Sequence, residues 1–220
     1  AAEVDFVINT HPQFGSILLV NGRQNQDYIS EIQHVRRRET IAMTPANCAA
    51  VLHQLTGKSL EVQDRSEIAN NRARVVDSIQ KITGTRSRAL LASSGLSMQY
   101  AIMMGLVDEA LHRHKGKAIK FIVPPNCYGG TNDQARRVAA CLDNVEIVDL
   151  LVDGKNDMVQ SIDQVLAQTA LEDAVPYIIA EIPTNPRVEV PNLKKLQEVL
   201  SKDRKTPAGK IAIDPVFILD

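Results

Sequence analysis

The chain has 220 residues, 44% hydrophobic and 23% charged, a balance typical of a folded globular protein rather than a disordered or fibrous one. Its formal net charge of −1 lacks the basic excess of nucleic-acid and membrane-surface binders, and no long apolar run is present, so we expect no nucleic-acid partner and no membrane span. Three scattered cysteines without a Cys-x-x-Cys pair predict neither disulfides nor a metal site, and they favour a cytoplasmic protein.

Residues 1–65 show an irregular pattern, in which proline, glycine and asparagine interrupt short apolar stretches. We interpret them as an N-terminal arm or helical segment, with one helix predicted over residues 44–55. Arg36, Arg37 and Arg38 form a basic run, which we interpret as a solvated helix face, with an anion contact as the alternative. Residues 66–220 are regular and are predicted to be the first part of a larger domain.

Strands and helices alternate in this regular part. Strands are predicted over residues 89–92, 118–123, 145–151, 176–182 and 210–214. Helices are predicted between them, near residues 68–82, 95–107, 133–142, 158–166 and 192–201, from apolar residues that recur at helical spacing. Near-continuous apolar strands separated by helices predict an α/β fold of three layers, in which a mostly parallel sheet is flanked by helices.

Two of the predicted strands are followed by residues suited to holding a ligand, since open α/β sheets bind ligands outside the carboxyl ends of their strands. After the first strand, Ser93, Ser94, Gly95 and Leu96 lead directly into a helix, which predicts a phosphate cradle at the positive end of the helix dipole. Simple N-capping by a serine is the alternative. After the second strand, Tyr128 lies beside two glycines and could stack on a planar heterocycle or merely anchor its loop.

Two more strand ends add polar groups. Asn185 lies between Pro183 and Pro186, where its amide can donate or accept, although an ordinary rigid turn would explain the same residues. Asp214 ends the last predicted strand, where burial is expected and a carboxylate needs a cationic or hydrogen-bonding partner. A phosphate end, an aromatic face, an amide and a buried carboxylate are what pyridoxal 5'-phosphate requires, because the carboxylate keeps the pyridine nitrogen protonated.

At these residues the chain resembles the Cys/Met-metabolism, or transsulfuration, family of fold-type I pyridoxal-phosphate enzymes, which includes cystathionine γ-synthase, cystathionine lyases and methionine γ-lyase. The resemblance covers about residues 65–220. It is carried by Ser-Ser-Gly-Leu at 93–96, Tyr-Gly-Gly-Thr at 128–131, Glu-Ile-Pro-Thr-Asn-Pro at 181–186 and Ile-Ala-Ile-Asp-Pro-Val-Phe at 211–217.

The resemblance implies a role in cofactor binding for each motif. It implies that Ser94, Gly95 and Leu96 hold the phosphate and that Tyr128 stacks on the ring. It implies further that Asn185 contacts the phenolic oxygen and the substrate carboxylate, and that Asp214 contacts the pyridine nitrogen. The chain departs from the family where Leu96 replaces methionine and where Pro215 and Val216 replace Asn-Thr. Arg65 is a loose candidate for the arginine that reaches a neighbouring subunit's phosphate.

As a function, the resemblance implies a pyridoxal-phosphate-dependent lyase or transferase that catalyses elimination or replacement on sulfur amino acids or homoserine esters. It also implies a homodimer or homotetramer with active sites at subunit interfaces. The family's Schiff-base lysine follows a Ser-x-Thr beyond the last motif, so we expect it beyond Asp220 and expect this chain alone to be inactive. Lys205 and Lys210 precede Asp214 and do not match that lysine.

Two alternatives remain. The chain could be a non-catalytic half-site or assembly unit of a split or cleaved pyridoxal-phosphate-fold protein, with a companion C-terminal fragment as its partner. Thr56-Gly-Lys-Ser59 also suggests a nucleotide-binding P-loop, but a P-loop needs a further glycine at the position of Leu52 and a strand just before it.

Overall fold

The computed structural model describes residues 4–11, 14–39, 43–58, 67–185 and 187–220, with only the backbone of residues 35–39. The chain folds into two compact units, Ala1–Met98 and Gln99–Asp220. The domain boundary predicted near residue 65 lies outside the described residues and stays a prediction.

The described residues of the first unit form an antiparallel hairpin, a short 3-10 helix (Arg23–Asn25), three α-helices and the first residues of a fourth. In the hairpin, β1 (Phe6–His11) pairs with β2 (Gly15–Val20). The helices are α1 (Asp27–Glu39), α2 (Pro45–Leu55) and α3 (Ile68–Thr83). The predicted helix over residues 44–55 is confirmed as α2, whose N-cap is Thr44. The backbone of Arg36, Arg37 and Arg38 lies in α1, so the helix expected for this basic run is present, whereas the hairpin was not predicted from the irregular pattern.

Two further predictions concern the end of this unit. Helix α3 is confirmed, and Gly84 ends it in the left-handed conformation, at a φ of 67°, that glycine adopts most readily. The strand predicted over residues 89–92 is wrong, because these residues form an irregular segment. A strand needs a hydrogen-bonding neighbour and an apolar surface to cover it, and Leu90 is 66% exposed.

The second unit is built on a four-stranded parallel sheet. Its strands are β3 (Ile119–Val123), β4 (Val145–Asp149), β5 (Val175–Ala180) and β6 (Val216–Leu219), in the order β4-β3-β5-β6. Every residue of β3 and β5 is buried, which agrees with the continuous apolar runs from which these strands were predicted. The predicted α/β class with a parallel sheet between helices is therefore confirmed.

Helices cover both faces of this sheet. They are α4 (Gly95–Arg113), α5 (Gly129–Ala140), α6 (Met158–Leu171) and α7 (Leu193–Leu200). Phe121 lies in the core formed with α5 and residues 99–113 of α4, while its neighbour Ile122 lies in the core formed with α6 and α7. Within the described ranges, no helix combines the length and the apolar character needed to cross a membrane.

The last predicted strand is displaced in the structure. Residues 210–214 were expected to be a strand, but this segment makes only an isolated antiparallel bridge, between Ile211 and Lys205. The strand beside β5 is instead β6, in which Phe217 and Ile218 pack against opposite faces of the sheet. Ile211 is 70% exposed, so the sheet buries the second of two neighbouring apolar runs rather than the first.

Candidate functional site

The strand order reverses between the ends of β3 and β5, where a small cavity of about 10 Å³ is lined by Cys127, Glu181 and Asn185 among other residues. The chain passes from β3 to β4 on one side and then returns past β3 to β5 on the other. The loops after β3 and β5 consequently diverge, one into α5 and the other into α7, which cover opposite faces. Such a reversal of strand order is the usual ligand-binding position in open α/β sheets. We call it the β3–β5 crevice.

Two of the predicted site residues lie at this crevice and are linked by one carboxylate. Tyr128 follows β3 as the N-cap of α5, and its N–H donates to Glu181 Oε1 at 2.9 Å. Asn185 follows β5, and its N–H donates to Glu181 Oε2 at 3.2 Å. Tyr128 is 53% exposed and Asn185 is exposed, so both residues are accessible to a ligand.

A second carboxylate, Asp220, lies beside Glu181 at the same edge of the sheet. Asp220 directly follows β6, and its N–H donates to the carbonyl oxygen of Ala180 at 3.0 Å. Its Oδ2 accepts a hydrogen bond of 3.0 Å from Thr131 Oγ1, and Thr131 is buried near the start of α5. Asp220 was not predicted to be a site residue, although it is a carboxylate that directly follows the apolar run 216–219.

Asp214 is not part of this arrangement. It precedes β6 instead of ending a strand, and it is exposed. It lines a small cavity with Lys202 and Arg204 beside Pro176, at the opposite edge of the sheet. The expectation of a buried carboxylate at the carboxyl end of the last strand is therefore wrong for Asp214, because the strand begins two residues after it.

The half-buried thiol of Cys127 lies close enough to Glu181 and Asp220 for their charges to affect its pKa. Burial first, and then the negative charges of Glu181 and Asp220, raise the pKa of Cys127 from 9.0 to about 11. The thiol is therefore protonated at neutral pH and is a poor nucleophile. The negative charges of Glu181 and Asp220, which add to the effect of burial, would favour a cationic group in a ligand.

The predicted phosphate turn belongs to the first unit. Ser94 Oγ accepts the N–H of Ser97 at 3.1 Å, so the capping interaction that was the alternative is present at the start of α4. Gly95 and Leu96 form the first turn of α4, whose N–H groups have no partner within the helix. Capping and phosphate binding by this turn are compatible, and phosphate binding stays a prediction.

The remaining candidate residues lie partly or wholly outside the described part of the chain. Residues 56–58 follow α2, so no strand precedes them as a P-loop requires, and Ser59 lies outside the described residues. Arg65 and the side chains of Arg36, Arg37 and Arg38 also lie outside them. In the described part of the chain, no group of three or more His, Cys, Asp or Glu side chains could hold a metal ion.

Comparisons with protein-family models, with curated proteins and with solved structures found no match to this chain.

Proposed function

We propose that the protein is a pyridoxal-phosphate-dependent enzyme that catalyses elimination or replacement on sulfur amino acids or homoserine esters, and that the β3–β5 crevice receives the cofactor ring. One observation carries the proposal: the carboxylates of Asp220 and Glu181 end neighbouring strands, next to an exposed aromatic ring and an exposed amide. The resemblance to the transsulfuration family supplies the substrate class. A cytoplasmic homodimer or homotetramer belongs to the same proposal.

The chemistry of these groups fits the cofactor. A pyridinium nitrogen is a cationic hydrogen-bond donor, and the crevice offers two carboxylates whose charges help to raise the pKa of Cys127. The cofactor's ring is planar and suits stacking on Tyr128. Its phenolic oxygen accepts hydrogen bonds, which the Asn185 side chain can donate. When bound, pyridoxal phosphate supplies an electron sink for negative charge that develops on the substrate.

In this proposal, Asp220 takes the role that the sequence resemblance implied for Asp214. Its carboxylate would hold a proton on the ring nitrogen, since a nearby negative charge favours the cationic form. Thr131 restricts the orientation of that carboxylate through its hydroxyl, and the Thr131 carbonyl accepts a hydrogen bond of 3.0 Å from the buried Gln99. Ser94, Gly95 and Leu96 remain the proposed binding turn for a phosphate.

Cofactor binding by two matched variants tests the proposal. Pyridoxal phosphate would be titrated into the protein by calorimetry, with visible circular dichroism to detect an ordered ring. Asp220→Asn should weaken binding by about 10- to 100-fold, the effect of losing a hydrogen bond to a charged group. Asp214→Asn should leave binding unchanged, because Asp214 lies at the opposite edge of the sheet from Asp220, although both residues are exposed.

Two results would refute the proposal. One is the absence of saturable pyridoxal-phosphate binding by the unsubstituted protein. The other is an equal effect of the Asp220 and Asp214 substitutions. The substrate class is tested separately in the cofactor-loaded full-length protein, by measuring 2-oxo acid release or thioether formation from cystathionine, methionine and a homoserine ester.

A further inference from the structure

The carboxylate of Glu181 occupies the point from which the two loops of the crevice diverge. It follows β5, it is half-buried, and each of its oxygens accepts a backbone N–H from a different loop. Oε1 is bonded to Tyr128, 53 positions earlier in the chain, and Oε2 to Asn185, four positions later. A single side chain thus connects the backbones of the two residues whose side chains are exposed at the crevice.

We propose that Glu181 is a positioning residue, whose carboxylate holds the backbones of Tyr128 and Asn185 at a separation that lets both side chains contact one planar ligand. The inference rests on the proposed function for the identity of that ligand. It adds a role for a side chain that need not touch the ligand itself.

The exposure of the two side chains explains why such a connection matters. An exposed ring or amide has little surrounding packing to fix its position, so its placement depends on the backbone that carries it. The loops after β3 and β5 lead to helices on opposite faces of the sheet, and motion of one loop need not be followed by the other. The two hydrogen bonds of Glu181 couple them.

A carboxylate is suited to this position for two reasons. An ionised carboxylate is an acceptor at both oxygens, whereas a glutamine amide has one accepting oxygen and would turn its NH₂ group toward a second N–H. Glu181 also lies at the N-terminus of α5, where no side-chain cap is provided by Tyr128 and where a negative charge interacts favourably with the helix dipole. Glu181→Gln should therefore keep only one of the two loop contacts.

Backbone amide exchange measures this role without reference to catalysis. In Glu181→Gln, hydrogen exchange monitored by NMR should accelerate by about tenfold or more at Tyr128 or Asn185, because the broken bond involves a charged acceptor. Glu189→Gln is the matched control. It removes a carboxylate from the same loop that is within 3.7 Å of Arg187, and it leaves both Glu181 bonds intact.

Cofactor binding then measures the consequence at the crevice. Calorimetric titration should show pyridoxal phosphate bound about tenfold more weakly by Glu181→Gln than by Glu189→Gln, because the lost charge-assisted hydrogen bond no longer holds the two loops in the geometry that binds the ligand. The visible circular dichroism of the bound cofactor should also decrease, because the ring is less well oriented. A residue that acted only on stability would lower the melting temperature without changing this dichroic signal in the folded protein.

Each outcome decides one part of the inference. Unchanged exchange at both amides in Glu181→Gln would overturn the bridging role, whether or not the cofactor binds. Accelerated exchange together with unchanged affinity and dichroism would overturn the positioning role. Failure of the unsubstituted protein to bind pyridoxal phosphate would refute the proposed function instead. If Glu181→Gln does not fold, exchange in the unsubstituted protein remains a test, because an unprotected amide at Tyr128 or Asn185 would overturn the bridge.

Discussion

Alkylation of Cys127 tests whether the loop after β3 and the ends of β5 and β6 meet as described. The thiol is half-buried and lies within the influence of the Glu181 and Asp220 carboxylates. Iodoacetamide reacts with the thiolate, so its rate reports the protonation of this one group. Neutralising either carboxylate, by Glu181→Gln or Asp220→Asn, perturbs the environment of the thiol with little change in side-chain size.

The magnitude follows from the raised pKa. At a pH below both the unfolded and the folded pKa, each unit by which the pKa is raised lowers the thiolate fraction tenfold. The rise from 9.0 to about 11 therefore leaves about 100-fold less thiolate than in an unfolded chain. Burial is the largest cause of the raised pKa, so each neutralising substitution should restore only part of the 100-fold loss of thiolate.

The raised pKa also means that the folded state holds a proton that the unfolded state releases. Folding stability should therefore decrease as the pH rises from about 9 to about 11.

The assay measures alkylation rates of the cysteine-containing peptides by mass spectrometry, across a series of pH values. The pH dependence separates ionisation from access, because limited access lowers the rate at every pH whereas the pKa sets the midpoint. Exposed Cys141 in the same unit serves as an internal reference for the reagent. A Cys127 midpoint near 9, or a midpoint unchanged by both substitutions, would refute the described convergence of the three strand ends.

Two predictions concern the fold that supports the crevice. Phe121→Ala should destabilise the protein by about 3–5 kcal/mol in urea denaturation, because the ring is fully buried and its centroid lies 5.3 Å from that of Tyr177. Leu171→Ala, at an exposed position of α6, should destabilise it by less than about 0.5 kcal/mol. Equal effects of the two substitutions would contradict the assigned core. A hydrogen bond from Lys120 lowers the pKa of Glu172. This carboxylate therefore stabilises the fold at a pH above its unfolded pKa of 4.5, and the stabilisation is lost as the pH falls through the pKa of the folded state. The urea midpoint of Glu172→Gln should therefore depend less on pH in this acidic range than that of the unsubstituted protein, and parallel curves would contradict the ion pair.

The parts of the fold that could be predicted are those buried on both faces. The runs at β3 and β5 are apolar at nearly every position, because helices cover each face, and a run of that kind is recognisable without knowledge of its neighbours. The helices from α3 to α7 show apolar residues at helical spacing, and Gly84 was correctly predicted to end α3. Their detection depends only on local order in the chain.

The errors arose where the choice depends on a distant partner. Residues 89–92 and 210–214 are short apolar runs. A run of four or five residues forms a strand only when it pairs by hydrogen bonds with a neighbouring strand. Around Pro215 two such runs follow each other, and each ends in an aspartate. The second run pairs with β5, and Asp220 rather than Asp214 therefore lies at the carboxyl ends of the strands. No property of either run alone distinguishes them.

Glu181 shows a further limit of inference from sequence patterns. Its motif was recognised, but its contacts are made to backbone N–H groups, and any residue except proline provides such a group. The identity of its partners is therefore set by the path of the loops rather than by their side chains. That path follows from the strand order, because the reversal between β3 and β5 sends the two loops apart while their first residues remain close. A carboxylate at that point can join them, and the topology thus determines which glutamate becomes the link between the ring and the amide.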